Sequence, residues 1–226
     1  MEFKKIKKEI KKYWKWVWNS DSIWSWIIAL IIIYIGIKFI FFPLLSLIMG
    51  TSLPLAGVES SSMDHQIIRD NSGALTLCGK VFLQDEKEHI NFDEYWETCG
   101  DWYSSKNIQK QEFKEFSLKN GFRKGDIIIV WGRFNPKIGN IIIFKPNIGS
   151  SSPYPIIHRI VEIDEQGIIQ TKGDHNEKQL TSDNNIYQTD ETYIQENQIV
   201  GKAIIKIPYL GWPKIWLTDF INALRN

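Results

Sequence analysis

The chain has almost no surplus of charge. Its 226 residues hold 27 Lys and Arg against 26 Asp and Glu, a formal net charge of +1. A general nucleic-acid binder carries a strong basic excess, so no nucleic-acid partner is expected. Cysteine is scarce as well, with Cys78 and Cys99 the whole complement. Their spacing does not suit a zinc site. They allow one bridge in an oxidising compartment and two thiols in a reducing one. Internal repeats and low-complexity tracts are absent, which removes solenoids and biased tails from consideration. Histidine is limited to His65, His89, His158 and His175, so any imidazole chemistry must use one of these four.

What charge there is lies segregated. Lys4, Lys5, Lys7, Lys8, Lys11, Lys12 and Lys15 crowd the N-terminus, opposed there only by Glu2 and Glu9. From Ile23 to Met49 the chain is nearly all apolar, longer than the roughly 20 residues that span a bilayer. The apolar core of a cleaved signal peptide is only about 7–15 residues, so 23–50 reads as an uncleaved anchor. The basic flank precedes it. The positive-inside rule then puts the N-terminus in the cytoplasm and everything after Gly50 outside, in a single-pass protein of the cell membrane. Trp14, Trp16, Trp18, Trp24 and Trp26 fit an aromatic belt at the inner interface. Segment 1–22 reads equally as a basic amphipathic helix on the inner face or as a plain positive flank. Lys38 is placed to snorkel from a tilted helix, and Pro43 to kink or end it.

Beyond the anchor there is room for one globular domain, 51–212. Thr51 to Val58 is a linker that reaches at most about 25–30 Å, so the polar run Glu59-Ser60-Ser61-Ser62-Met63-Asp64-His65 must lie near the outer membrane surface. Residues 67–120 are polar, hold both cysteines, and space Ile108, Phe113 and Phe116 as on one helix face. They read as a mostly helical insertion, with surface elaboration the simpler role and a substrate-facing lid the other. From Gly121 the period changes. The stretches 126–131, 140–144, 156–163, 167–171 and 199–207 are apolar and β-branched between Gly, Pro and Asn turns, predicting a largely antiparallel β domain. Segment 213–226, with Tyr209 and Leu210 before it, is aromatic and amphipathic, too interrupted for a second span and suited to an interface.

Four stretches in order carry a resemblance: Ser60-Ser61-Ser62-Met63, Gly125-Asp126-Ile127, His158-Arg159-Ile160 inside an apolar run, and Gly173-Asp174-His175-Asn176. Behind an N-terminal anchor, this series resembles the type I signal peptidases, and the His before Arg resembles their archaeal and endoplasmic-reticulum branch. The resemblance covers the anchor, 57–66 and 121–212. It implies a mainly β fold: an N-terminal transmembrane helix, then a coiled, largely antiparallel all-β catalytic domain resting on the membrane.

It also implies roles. Ser62, before Met63, would be the nucleophile, and its N–H with the Ser60 hydroxyl would form the oxyanion hole. A serine hydroxyl needs an adjacent base. His65 is only three residues from Ser62, and His89 lies in the polar insertion. His158 sits within a strand, where a polar side chain needs a reason, and it is the expected base. Asp174 is the first candidate to orient it and Asp183 the second, because the family's second Asp is replaced by Glu177 to Leu180. Ser61 for Gly, Ile160 for Val and Gly139-Asn140 for Gly-Asp are further departures. The activity implied is removal of signal peptides from secreted preproteins at small-x-small sites, through an acyl-enzyme. No metal or organic cofactor is implied. Preproteins, the lipid bilayer and the translocation machinery are the expected partners. The missing second Asp keeps an alternative open, a non-catalytic anchored β domain that binds secreted chains or a partner subunit.

Overall fold

The computed structural model describes residues 2–70, 72–83 and 89–224. Parts of the expected insertion (71 and 84–88) and of the C-terminal segment (225–226) lie outside them. The chain divides into two compact units, Met1–Ile48 and Met49–Asn226.

The first unit is helical. Helix α1, Glu2–Asn19, sets an apolar stripe containing Phe3, Ile6, Ile10 and Trp14 against its lysines. Helix α2, Ile23–Gly36, passes through a π-helical turn at Ile37–Phe41 into α3, Phe42–Met49. Pro43 explains the turn: it has no N–H for the Phe39 carbonyl and its ring crowds that turn, so the helix loosens there rather than ending. The run Ile23–Met49 is one helix long and apolar enough to cross a membrane. Lys38 donates to the Tyr34 hydroxyl at 3.1 Å, which gives its charge a polar neighbour one turn away.

The second unit is built on a six-stranded, wholly antiparallel sheet. Its strands are β1 (Leu55–Gly57), β5 (Ile127–Trp131), β6 (Ile141–Phe144), β7 (Ile156–Ile163), β8 (Ile169–Lys172) and β9 (Ile199–Ile207), in the order β1-β5-β9-β6-β7-β8. Register shifts between Ile129 and Val130, Ile143 and Phe144, and Ile160 and Glu162 coil it. Five of these are the apolar stretches expected to be strands; β1 is a correction, since part of the expected linker Thr51 to Val58 pairs with β5 as an edge strand. One core packs Val58, Met63, Phe122, Ile128, Ile141 and Ala203; another packs Ile142, Phe144, Ile160, Ile169 and Ile194.

The insertion holds more than helix. A small antiparallel sheet of β2 (Ile68–Arg69), β3 (Leu75–Leu77) and β4 (Lys80–Phe82) precedes α4 (Phe92–Ser105) and α5 (Lys110–Glu115). Asn91 and Glu94 form a reciprocal capping box at the start of α4. Cys78 is bonded to Cys99, which resolves the open choice between bridge and thiols. The insertion is not the surface elaboration expected of it. Tyr95, Cys99 and Tyr103, four residues apart on one face of α4, are all buried and pack with Val161 of β7. The domain closes with α6, Trp212–Ala223, whose Ile215 is buried while Trp216, Leu217 and Phe220 are exposed.

Candidate active site

Ser62 is fixed from several sides. Met63 is 1 % exposed, an anchor sunk in the core beside Val58 and Phe122. The Phe122 N–H donates to the Met63 carbonyl at 3.0 Å, and the His175 N–H donates to the Ser62 carbonyl at 2.8 Å. Gly121 makes the first contact possible: its φ is +60°, and a Cβ there would stand 2.0 Å from the Met63 carbonyl oxygen. Ser60 Oγ lies 3.2 Å from Ser62 Oγ, so the two serines expected at an oxyanion hole are neighbours.

His158 comes to Ser62 from the middle of β7. Its Nε2 is 2.8 Å from Ser62 Oγ, and the imidazole is buried. Its Nδ1 meets the carboxylate of Glu191 in a short hydrogen bond. A carboxylate only accepts, so Nδ1 carries the proton and Nε2 is left as the acceptor for the Ser62 hydroxyl. Glu191 is fully buried. It also accepts from the Thr171 hydroxyl at 2.9 Å and from the Leu180 N–H at 2.8 Å. Backbone bonds from Thr171 to Glu191 and between Ile169 and Ile194 lay residues 191–194 along the outer edge of β8. That places the Glu191 side chain beside Thr171 and within reach of His158.

The two acids expected beside His158 stand elsewhere. Asp174 is fully buried on the other side of the loop. Its carboxylate accepts from Arg159 Nη2 at 2.6 Å and Nε at 2.9 Å, from the Tyr103 hydroxyl at 2.9 Å and from His65 Nε2 at 2.8 Å. The physical reason is strand alternation. His158 and Arg159 face opposite sides of β7, and Asp174 goes with the guanidinium. Burial raises the Asp174 pKa, but the Arg159 charge, with His65, overrides it and holds the carboxyl well below the usual range. Asp183 is exposed and bonds to the Thr181 hydroxyl. Neither reaches His158, and Glu191 stands where an orienting acid is needed. Glu191 carries no motif: it lies in a polar stretch 33 residues beyond His158, and only the pairing of 191–194 with β8 brings it in.

The remaining histidines are placed differently. His65 is buried and stacked on Tyr95. His89 is exposed, 3.3 Å from Gln66 Oε1. His175 sits against the Asp64 carbonyl at 3.0 Å, and burial lowers its pKa. Lys172, also buried, donates to the Gly173 carbonyl at 3.0 Å and lies over the Trp102 and Tyr103 rings. Burial lowers its pKa to about 8 against the pull of Asp174 and Glu191. Gly173 is another tight point of the site, since an added Cβ would stand 2.8 Å from both His158 Nε2 and the Ser62 carbonyl oxygen. Among the described residues, no group of His, Cys, Asp and Glu is arranged to hold a metal ion.

A serine hydroxyl on one nitrogen of a buried imidazole and a carboxylate on the other can carry out nucleophilic acyl transfer. No family model matches the chain. Curated proteins do. The chain is 28 % identical over 109 residues to a protein of Pyricularia oryzae named signal peptidase complex catalytic subunit SEC11. It is 26 % identical over 110 residues to the protein of that name in Colletotrichum graminicola and 28 % over 109 residues to that in Neurospora crassa. Each match covers 46 % of this chain and 60 % of the relative's length. At modest identity and over about half the chain, its homologues are therefore catalytic subunits of signal peptidase complexes, the endoplasmic-reticulum and archaeal branch of type I signal peptidase that the motif series resembles.

Proposed function

We propose that the protein is a membrane-anchored serine endopeptidase that removes signal peptides from preproteins, with Ser62 as nucleophile, His158 as general base and Glu191 as the residue that orients it. The observation that supports this most is the Ser62 Oγ to His158 Nε2 contact of 2.8 Å with Glu191 on Nδ1. Ser62 Oγ adds to the scissile carbonyl as its proton passes to Nε2. The Glu191 carboxylate stabilises the imidazolium so formed. The Ser62 N–H and the Ser60 hydroxyl are the proposed donors to the oxyanion, each such donor worth about 2.7–4 kcal/mol in the transition state. The imidazolium then protonates the leaving amine, the C–N bond breaks, and the signal peptide remains esterified to Ser62. Water delivers its proton to Nε2, its oxygen takes the acyl carbon, and Ser62 regains its hydroxyl.

The apolar helix Ile23–Met49 would serve as the anchor, with the N-terminus inside and Ser62 outside. Exposed Trp216, Leu217 and Phe220 on α6 suit a docking contact with the outer leaflet. The names of the relatives support assembly with further subunits of a signal peptidase complex. The Glu191 carboxylate on His158 supports the catalytic reading over the non-catalytic alternative, which the missing second Asp had motivated.

The test is cleavage of a membrane-bound preprotein by the full-length protein in liposomes, with the product's new N-terminus determined. Wild type should cut after a small-x-small sequence, and Ser62→Ala and His158→Ala should not. Cleavage that survives Ser62→Ala would overturn the assignment.

A further inference from the structure

No described residue of 67–120 hydrogen-bonds Ser62 or His158, yet the buried side chains of this insertion converge on the loop that carries Ser62 and on the Gly173–His175 loop beside it. The Tyr103 hydroxyl donates to the Asp174 carboxylate and the Tyr95 hydroxyl to the Asp174 carbonyl, both at 2.9 Å. The Cys78 N–H donates to the His175 carbonyl at 3.0 Å, and the Cys78–Cys99 bridge ties that turn to the buried face of α4. These contacts grip the Gly173–His175 loop. The nucleophile loop is gripped by stacking: the Tyr95 ring lies on His65 with centroids 3.7 Å apart and planes 4° from parallel. From there one contact reaches the reacting atoms. His175 N–H bonds the Ser62 carbonyl, and the Gly173 backbone packs against His158 Nε2.

We propose that the insertion is a clamp on the catalytic pair, with Tyr95, Tyr103 and the Cys78–Cys99 bridge as positioning residues that hold Ser62 in register with His158. The physical need is clear from the residues gripped. The Gly173–His175 loop contains a glycine and a buried carboxylate paired with Arg159 from the far face of β7 and with His65 from the nucleophile loop. Left to Arg159 and His65, the carboxylate would keep its charge partner but the loop would lose the Tyr95 and Cys78 donors to its backbone carbonyls. A displacement of about 1 Å at a reacting pair costs on the order of a hundredfold in rate. The domain therefore carries its own back wall, built from a segment that the motif series does not include.

The proposal rests on Ser62 and His158 as the reacting pair, so its test has one readout that needs no activity. Full-length wild type, Tyr95→Phe/Tyr103→Phe and Cys78→Ser/Cys99→Ser are compared by hydrogen exchange, then by steady-state kinetics on a preprotein. Segments 60–65 and 171–176 should exchange about tenfold faster in both variants while β5 and β9 keep their protection. The variants should lose about 10- to 100-fold in kcat with KM within about twofold. If a double variant does not fold, Tyr103→Phe alone is read in the same way. Faster exchange confined to 67–120, or an unchanged kcat in a folded variant, would overturn the clamp. Should wild type cleave nothing, the peptidase reading fails, and the exchange data still decide whether the insertion holds these loops.

Discussion

Two buried histidine–carboxylate pairs lie in one domain, and they are built for opposite ends. His158 donates from one nitrogen to Glu191 and faces a serine hydroxyl with the other. His65 bonds Asp174, but that carboxylate is already taken by Arg159 and Tyr103, and the His65 ring is covered by Tyr95. The first pair has a reactive neighbour and a base left to use. The second has its charge matched and its surface covered. A buried ion pair held this way is costly to break, whether or not it adds net stability. A histidine beside an acid is therefore not itself a catalytic signature. What the other nitrogen and the other carboxylate oxygen meet decides it.

The sharpest way to break the comparison is to remove one charge from each pair. Glu191→Gln keeps size and removes the anion that holds Nδ1 protonated, so kcat should fall roughly a thousandfold or more, with a melting temperature near that of wild type. Asp174→Asn leaves Arg159 uncompensated in the interior. The expected loss there is in stability, about 3–5 kcal/mol, which for a domain of this size is a fall of roughly 10 °C or more by thermal melting. Equal losses of kcat and stability in both variants would erase the distinction.

A smaller and graded effect is expected from pH. The folded pKa of His65 is lowered, chiefly by burial and against the pull of Asp174. The unfolded chain then binds the proton more readily, so stability should decline as pH falls below about 6.5. Asp174 is held well below the carboxylate range when folded. Its contribution is fully present above its unfolded value, near pH 4, and is lost as pH falls towards the folded value. Lys172 works at the other end: its pKa, lowered to about 8 from 10.5, means that stability should rise with pH between those values. Urea midpoints from pH 3 to 10 test all three signs, and Lys172→Met should flatten the alkaline rise. The smallest effect is expected at Asp183. It is exposed and bonds only locally, so Asp183→Ala should leave kcat and melting unchanged; a large loss of activity would return it to the site.

Much of this was legible in the residues. The strands could be read because β-branched runs between Gly and Asn turns match the sheet closely, as at Ile156–Ile163 and Ile199–Ile207. The pairing of Ser62 with His158 followed from a motif series with fixed order. The carboxylate that bonds His158 did not, because Asp174 matches a motif whose carboxylate turns to Arg159, and Glu191 depends on long-range pairing along β8 that no local pattern encodes. The insertion was misread for a related reason. Its buried face is a tyrosine, a cysteine and a tyrosine spaced over two turns of α4, and that face packs in an apolar cluster while its hydroxyls reach a buried carboxylate loop. Periodicity identifies a buried face without naming what it meets.

The most direct test of the central distinction is the rate of preprotein cleavage by Glu191→Gln and Asp174→Asn, measured side by side at a temperature where both remain folded. Glu191→Gln should lose roughly a thousandfold in kcat and Asp174→Asn much less. A Glu191→Gln protein that cleaves at the wild-type rate, beside an inactive but folded Asp174→Asn, would contradict that distinction and return the orienting role to Asp174.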